Sequence, residues 1–303
     1  MTNGTPPGPG RPVPPMQKRA RRFAREREFW RRFRRRPAGM VSLIVLLIVV
    51  FFAVFSSVAA THDPVATDFD ARFAGPSLDH FLGTDNLGRD TYSRIVYGSR
   101  TALLVGIISV GIGVGIGLPW GLIAGYVGGM KDEAMMRVMD ALYAYPALLL
   151  ALVVIAALGT RFVYVMIAIG VTFIPAFARI VRGSTLSVKN MDYVLAAESI
   201  GAGTARIARV HVLPNVLAPV IVQASLGIGF AIIAEAGLSF LGLGTQPPRP
   251  SWGSMLQAAQ RFLTTEGQLA IYPGAVIVIT VLAFNLLGDV LRDLLDPRLR
   301  GAD

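Results

Sequence analysis

Residues 40–60 read MVSLIVLLIVVFFAVFSSVAA and carry no charged side chain. A helix rises about 1.5 Å per residue, so about 20 apolar residues cross the roughly 30 Å hydrocarbon layer of a bilayer. This stretch therefore reads as a transmembrane helix. A cleavable signal peptide is the competing reading, because Val58-Ala59-Ala60 resembles a cleavage site. Signal cores run about 7–15 residues; this run is longer and reads as an uncleaved anchor.

Five further apolar runs follow at about 101–125, 134–158, 162–182, 216–240 and 272–295. The chain of 303 residues is 53% hydrophobic, 16% charged, and has a mean hydropathy of +0.55. Soluble domains carry roughly 25% charged residues. The fold class expected is an all-α integral membrane protein with about six transmembrane helices. Cysteine is absent, which excludes disulfides and thiolate metal sites.

On the N-terminal side, residues 1–15 hold six prolines and no apolar period and read as disordered. Residues 18–36 hold eleven Lys or Arg against Glu26 and Glu28, interleaved with Phe23, Phe29, Trp30 and Phe33. On a helical wheel the aromatics share one side, which suits an amphipathic helix on an anionic leaflet or, more simply, a basic flank that fixes orientation. Either way the net charge of +10 is a membrane feature and no nucleic-acid partner is called for. With the N-terminus in the cytoplasm, 22 of the 29 Lys and Arg fall inside, 12 of them before the first span. The chain divides into a cytoplasmic tail (1–39), the first span (40–60) and an extracytoplasmic segment (61–100). A transmembrane domain (101–295) with a cytoplasmic loop (183–215) and a C-terminal tail (296–303) complete it.

Within the second run Gly113, Gly117, Gly121, Gly125 and Gly129 recur every fourth residue, with Gly111 and Gly115 beside them. One face of that helix is bare backbone, on which another helix packs closely. Pro119, Pro146 and Pro175 are candidate kinks. Asp140, Glu235 and Asp289 are ionisable groups in apolar surroundings; each belongs near an interface or inside the protein. Asp289 and Arg292 are spaced to pair on one helix face.

The 183–215 loop reads GSTLSVKNMDYVLAAESIGAGTARIARVHVLPN. Asp192 suits an N-cap and Gly201 a C′ residue, which brackets a short helix at about 193–200. Such a helix is too short to be stable alone, and Ala196 and Ala197 let its backbone approach a neighbour. That neighbour is either a groove in a partner or the chain's own bundle.

This loop resembles the "EAA" loop of ABC importer permeases: a tripeptide, three residues, Gly, nine residues, then a Leu-Pro motif. Leu195-Ala196-Ala197 takes the tripeptide's place, Glu198 follows it, and Gly201 and His211-Val212-Leu213-Pro214 hold the spacing. Leu195 stands where the family has Glu, and His211-x-Leu213-Pro214-Asn215 resembles the dipeptide, oligopeptide and nickel class. HFLGTDNLGRDTYSRIVYGSRTALLVG (80–106), GLSFLGLGTQPPRPSWGSML (237–256) and NLLGDVLRDLLDPRLR (285–300) resemble three other segments of that class. The basic tail and extra first span resemble the second permease of a heteromeric pair.

The resemblance implies a multi-pass subunit of the cytoplasmic membrane that passes short peptides. Its implied partners are a second homologous permease, two ATPase subunits gripping the EAA loops, membrane lipid, and an extracytoplasmic substrate-binding protein. Nickel, glutathione and haem are the alternative cargoes of the class. The chain has no G-x-x-x-x-G-K-[ST] phosphate loop, no H-E-x-x-H and no G-x-S-x-G. No catalytic residue, cofactor or metal is therefore assigned, and His62, His80 and His211 are all placed in loops. An ion-coupled secondary transporter is the rival class, but no internal repeat is found. Pro247, Pro248 and Trp252 are candidate docking residues for the binding protein, with Trp252 as a candidate anchor; a lid packed on the chain's own bundle is the equal alternative.

Overall fold

The computed structural model describes residues 27–295. The tail readings for residues 1–26 and 296–303 lie outside the described residues. Helix α1 is Pro37–Val54, with Pro37 in its first turn, where its missing N–H costs no hydrogen bond. A break at Phe55 and one more turn, Ser56–Ala59, complete the first span. Before it, Phe33 is buried, stacked with Trp30 and close to Gly39. At least this aromatic packs on its own chain.

Helix α2, Thr91–Val127, has 37 residues and starts ten residues before the expected span. At about 1.5 Å per residue it is far longer than a bilayer needs, so part of it projects. Asp90 caps it, accepting a hydrogen bond from the Ser93 amide at 2.8 Å. Arg94 and Arg100, which the reading placed in the extracytoplasmic segment 61–100, lie inside the helix.

The expected third span differs most. It forms two helices, α3 (Gly129–Tyr143) and α4 (Ala147–Leu158), bent by 88°. Lys131, Asp132, Glu133, Arg137 and Asp140 all lie on α3, which therefore cannot sit in hydrocarbon. Asp132 instead takes a two-pronged ion pair from Arg182, at 2.6 and 2.7 Å, and Asp140 pairs with Arg179 at 2.9 Å. Pro146 precedes the first residue of α4 and ends the first helix rather than kinking a continuous one.

Helix α5 is Phe162–Lys189, so it runs seven residues into the expected loop. Helix α6, Asp192–Ser199, is the short helix; helix α7 is Leu213–Phe240, α8 is Trp252–Ala259 and α9 is Gln268–Leu295. Among the described residues five helices are long and apolar enough to cross a membrane, or six passages if α3 and α4 count as one. Among the described residues there is no strand, only an isolated bridge between Thr84 and Asp90.

The centre is the α2–α5 pair. A Cβ on Gly113 would come within 2.5 Å of the Phe173 Cβ, and one on Gly117 within 2.7 Å of the Phe177 Cβ. On Gly125 it would lie 2.8 Å from the Thr185 Cβ, and on Gly121 it would strike the Ala178 carbonyl. The four-residue stripe thus seats α5 directly on the α2 backbone. Gly111 and Gly115 face open space, and Gly129 belongs to the turn into α3. Helix α7 packs on both members of the pair; α9 and α1 flank one side, and α4 flanks the other. Asp293 pairs with Arg36, which ties the ends of α9 and α1; the described ion pairs do not include Asp289 with Arg292.

Candidate functional site

A cleft of about 440 Å³ opens between α5, α7, α9 and the α3–α4 bend. Such a volume suits a small organic solute. Phe173, Phe230 and Ile233 form apolar wall, with the two phenyl rings edge to face at 6.0 Å. Its polar groups are Tyr143, Thr172, Gln223 and Asn285, all uncharged. Thr172 donates to its own helix at Ile169, at 2.7 Å. The sequence reading did not single out these four. Gln223 and Asn285 carried the signal, as lone amides within apolar spans, where unpaired amides are costly.

At one end of the bundle lies the 183–215 segment. Met191 is the N-cap of α6 and Asp192 its first residue, one place from expectation. Gly201, at φ +82°, follows the helix: its N–H donates to Glu198 and that of Ala202 to Ala197, which closes the C-terminus. The helix has two faces. Val194 and Ala197 are buried against the chain's own bundle, whereas Leu195 and Ala196 are exposed. Glu198 is exposed, and Ile200 is 86% exposed. His211 lies in a one-turn π-helical stretch, Ala208–Val212, that runs into α7 at Leu213 and Pro214. The His211 carbonyl accepts from Asn215 at 2.7 Å, and the same amide donates to the Tyr193 hydroxyl at 3.1 Å. This contact ties α6 to the start of α7.

The opposite end is built from residues 61–90 and 241–262. Thr84 accepts from the Ala74 amide and donates to Ala71. Asp85 accepts from the amides of Leu87 and Arg89 and pairs with the Arg89 guanidinium at 2.7 Å. Gly88, at φ +71°, sits against the Asp68 carbonyl, where a side chain would not fit. Asp90 also receives His80 at 2.9 Å. Burial raises its affinity for a proton, but the Ser93 hydroxyl and amide, His80 and the nearby His62 outweigh this and hold the carboxyl below its ordinary value.

Glu235, buried near the end of α7, accepts from Ser239 at 2.6 Å and Thr245 at 2.7 Å. Trp252 is 2% exposed; its indole N–H donates to the Ile95 carbonyl at 3.0 Å, and its ring fills the space over Gly98. Trp252 is thus a packing residue, the second of the two alternatives: a ring sealed under its own chain offers no surface to a partner. Pro247 and Pro248 are exposed. Beside them the Arg249 guanidinium lies 4.2 Å from the Phe162 ring centre.

The described bundle is that of a multi-span membrane protein with an uncharged, solute-sized cleft between its helices. Residues 117–301 match the family described as binding-protein-dependent transport system inner membrane component, and the chain belongs to that family. Residues 26–76 match the N-terminal TM domain of oligopeptide transport permease C. The chain is 45% identical over 275 residues to the glutathione transport system permease protein GsiD of Pectobacterium atrosepticum, covering 90% of this chain and 91% of that one. It is 44% identical, with the same coverage, to the protein so named in Escherichia coli O157:H7. A chain from inward facing conformations of the MetNI methionine ABC transporter shares the fold, with a TM-score of 0.56 and 18% identity. That match covers 66% of this chain and 96% of the other. The protein is thus an ABC importer permease of the peptide and nickel class, a multi-pass inner membrane protein. The secondary-transporter reading is set aside by this family.

Proposed function

We propose that the chain forms half of an ATP-driven import pathway for short peptides, with a second homologous permease as the other half. The carrying observation is the cleft: it is open on one side and lined by neutral hydrogen-bonding groups on an apolar wall. Amide and hydroxyl groups match peptide amides without trapping a charge, whereas a nickel ion favours imidazole or carboxylate donors, which the cleft lacks. Glutathione, named for the relatives, is a short peptide and the first cargo to test. One of two ATPase subunits seats on the exposed face of α6 and the other on the partner permease, an external binding protein delivers cargo near Pro247 and Pro248, and the chain itself performs no catalysis. The N-terminus, the 183–215 segment and the C-terminus are cytoplasmic. This assignment is supported by the bias of Lys and Arg.

The test is uptake of labelled glutathione and of short peptides by the reconstituted complex. Losing one hydrogen bond of about 0.5–1.5 kcal/mol slows passage by up to about tenfold. Gln223→Leu and Asn285→Leu are expected to do so while ATPase subunits remain bound. Undiminished uptake of every transported solute in the double variant overturns the pathway assignment.

A further inference from the structure

The sequence reading put His62 and His80 in loops and gave neither a ligand. The fold brings them together with Asp90 at the end of the bundle opposite α6. One ligand atom from each of the three lies within 4.8 Å of the others. The His80 Nδ1 is 2.9 Å and the His62 Nδ1 3.9 Å from the same carboxylate oxygen, Asp90 Oδ1, and the two rings are 4.6 Å apart. We propose that His62, His80 and Asp90 form a binding site for a borderline divalent transition ion of the zinc type.

Three points carry the assignment. The first is donor chemistry: two imidazoles and one carboxylate suit zinc and its neighbours and disfavour calcium and magnesium, which prefer all-oxygen sets. Ligands about 2.0–2.2 Å from one tetrahedral ion stand roughly 3.3 Å from each other, and the observed 2.9 and 3.9 Å bracket that value. Small ring rotations complete the geometry, and a fourth position remains for water.

The second is support. The other Asp90 oxygen receives the Ser93 amide at 2.8 Å and the Thr61 hydroxyl at 3.4 Å. The His62 amide donates to the Ser93 hydroxyl at 3.0 Å, and the His80 amide to the Ser77 hydroxyl at 3.0 Å. These bonds fix one Asp90 oxygen and the backbone of both histidines, which sets where the two rings start. The third is access. The Asp90 side chain is 1% exposed, that of His80 20% and that of His62 41%. The carboxylate forms the floor and the imidazoles the mouth. Capping α2 accounts for Asp90 and its contact with His80, but not for His62, which turns the same ring nitrogen toward the same oxygen. The His62 Nδ1 also lies 3.0 Å from the Thr61 hydroxyl, a contact that an ion at the site would replace. A bound ion would join the segment after the first span, the 77–90 loop and the start of α2. The site is far along the chain from the cleft residues and does not depend on which solute is carried.

The chain has three histidines and no cysteine, so a bound ion is easily traced. The experiment uses the full chain purified in detergent without a polyhistidine tag. Zinc alone is titrated by calorimetry, and cobalt is followed by its visible absorption. One zinc per chain is expected, with His62→Ala and His80→Ala each weakening affinity at least about tenfold. His62→Ala is the decisive variant, because the exposed ring is not part of the α2 cap; thermal unfolding without zinc should match the parent. His211→Ala should bind as the parent does. No saturable binding up to about 100 µM zinc, a loss under tenfold in His62→Ala, or loss of the ion in His211→Ala overturns the proposal.

Discussion

The two ends of the bundle are finished differently. At the Asp90 end, polar and aromatic groups are turned inward and paired within the chain: Asp85 with Arg89, Asp90 with Ser93 and His80, Glu235 with Ser239 and Thr245, Trp252 with Ile95. At the α6 end, apolar side chains are left in the open: Met191 at 45% exposure, Leu195 at 46%, Val210 at 57% and Ile200 at 86%. The Asp90 end also leaves Leu78 at 93%, Phe69 at 65% and Leu241 at 54% exposure, so both ends carry apolar surface that makes sense once covered. What sets the closed, Asp90 end apart from the open, α6 end is its network of buried, paired polar groups. Between them, α2 and α5 meet backbone to backbone along the glycine stripe, a rigid connection between the two ends. The difference teaches where stability and coupling reside. Substitutions in the buried network of the closed end should act on folding, and those on the exposed face of α6 on assembly.

The largest contrast is all-or-none. In this cysteine-free chain, Ser187→Cys near the open end and Thr67→Cys near the closed end are both exposed positions. Each should be labelled by an impermeant thiol reagent from opposite sides of sealed vesicles, Ser187→Cys from the cytoplasmic side. Labelling of both from one side would break the comparison at its root.

Next in size is Trp252→Ala. Removing a buried aromatic costs about 3–5 kcal/mol, and here the Ile95 carbonyl also loses its indole donor. Thermal unfolding of the purified chain should shift down markedly. An unchanged melting profile, with delivery from the binding protein lost, would make Trp252 itself a docking residue rather than a packing one.

How much of this was legible before the structure follows the range of the interactions. The spans at 40–60 and 216–240 declare themselves, because the bilayer demands a local run of apolar residues. The glycine stripe is also local, but its partner on α5 lies far along the chain, Phe173 for Gly113 and Thr185 for Gly125, and no periodicity names it. The third span misled because α4 is apolar and α3 was counted with it; the charges on α3 are answered by Arg179 and Arg182. Trp252 stays ambiguous for a similar reason. An aromatic in a proline-rich polar loop reads as exposed or as packed until Gly98, remote in sequence, provides the space beneath it. The coupling segment was read by spacing alone, and spacing could not say that Ala197 faces inward while Ala196 faces out.

A smaller effect on folding, but a clear one on assembly, is expected for Ile200→Lys. The side chain is 86% exposed and lies just past the last helical residue, where a cation suits the helix dipole. Chain stability should move by no more than about 0.5 kcal/mol. If ATPase subunits cover this residue, burying an isoleucine contributes about 1.5–3 kcal/mol, or roughly ten- to hundredfold in affinity. Copurification of the ATPases and peptide uptake should both fall. Full copurification and uptake would place the covered surface elsewhere.

The smallest expected effect is that of Leu195→Glu, and it separates shape from charge at the open end. Leu195 is 46% exposed and lies on the face of α6 turned away from Val194 and Ala197. Nothing in the chain's own packing depends on its branched end, so thermal stability should stay within about 0.5 kcal/mol. Glutamate is a better helix former than most polar residues, and a negative charge in the first half of a short helix is not opposed by the dipole. The resembling permeases carry Glu at this place, so the substitution restores the residue their ATPase grooves receive. Uptake should therefore equal or slightly exceed that of the parent, with ATPase copurification unchanged. A strong loss of uptake in Leu195→Glu with normal folding would show that this chain's ATPase groove has become apolar to match Leu195. Recognition at the open end would then be specific to its own ATPases.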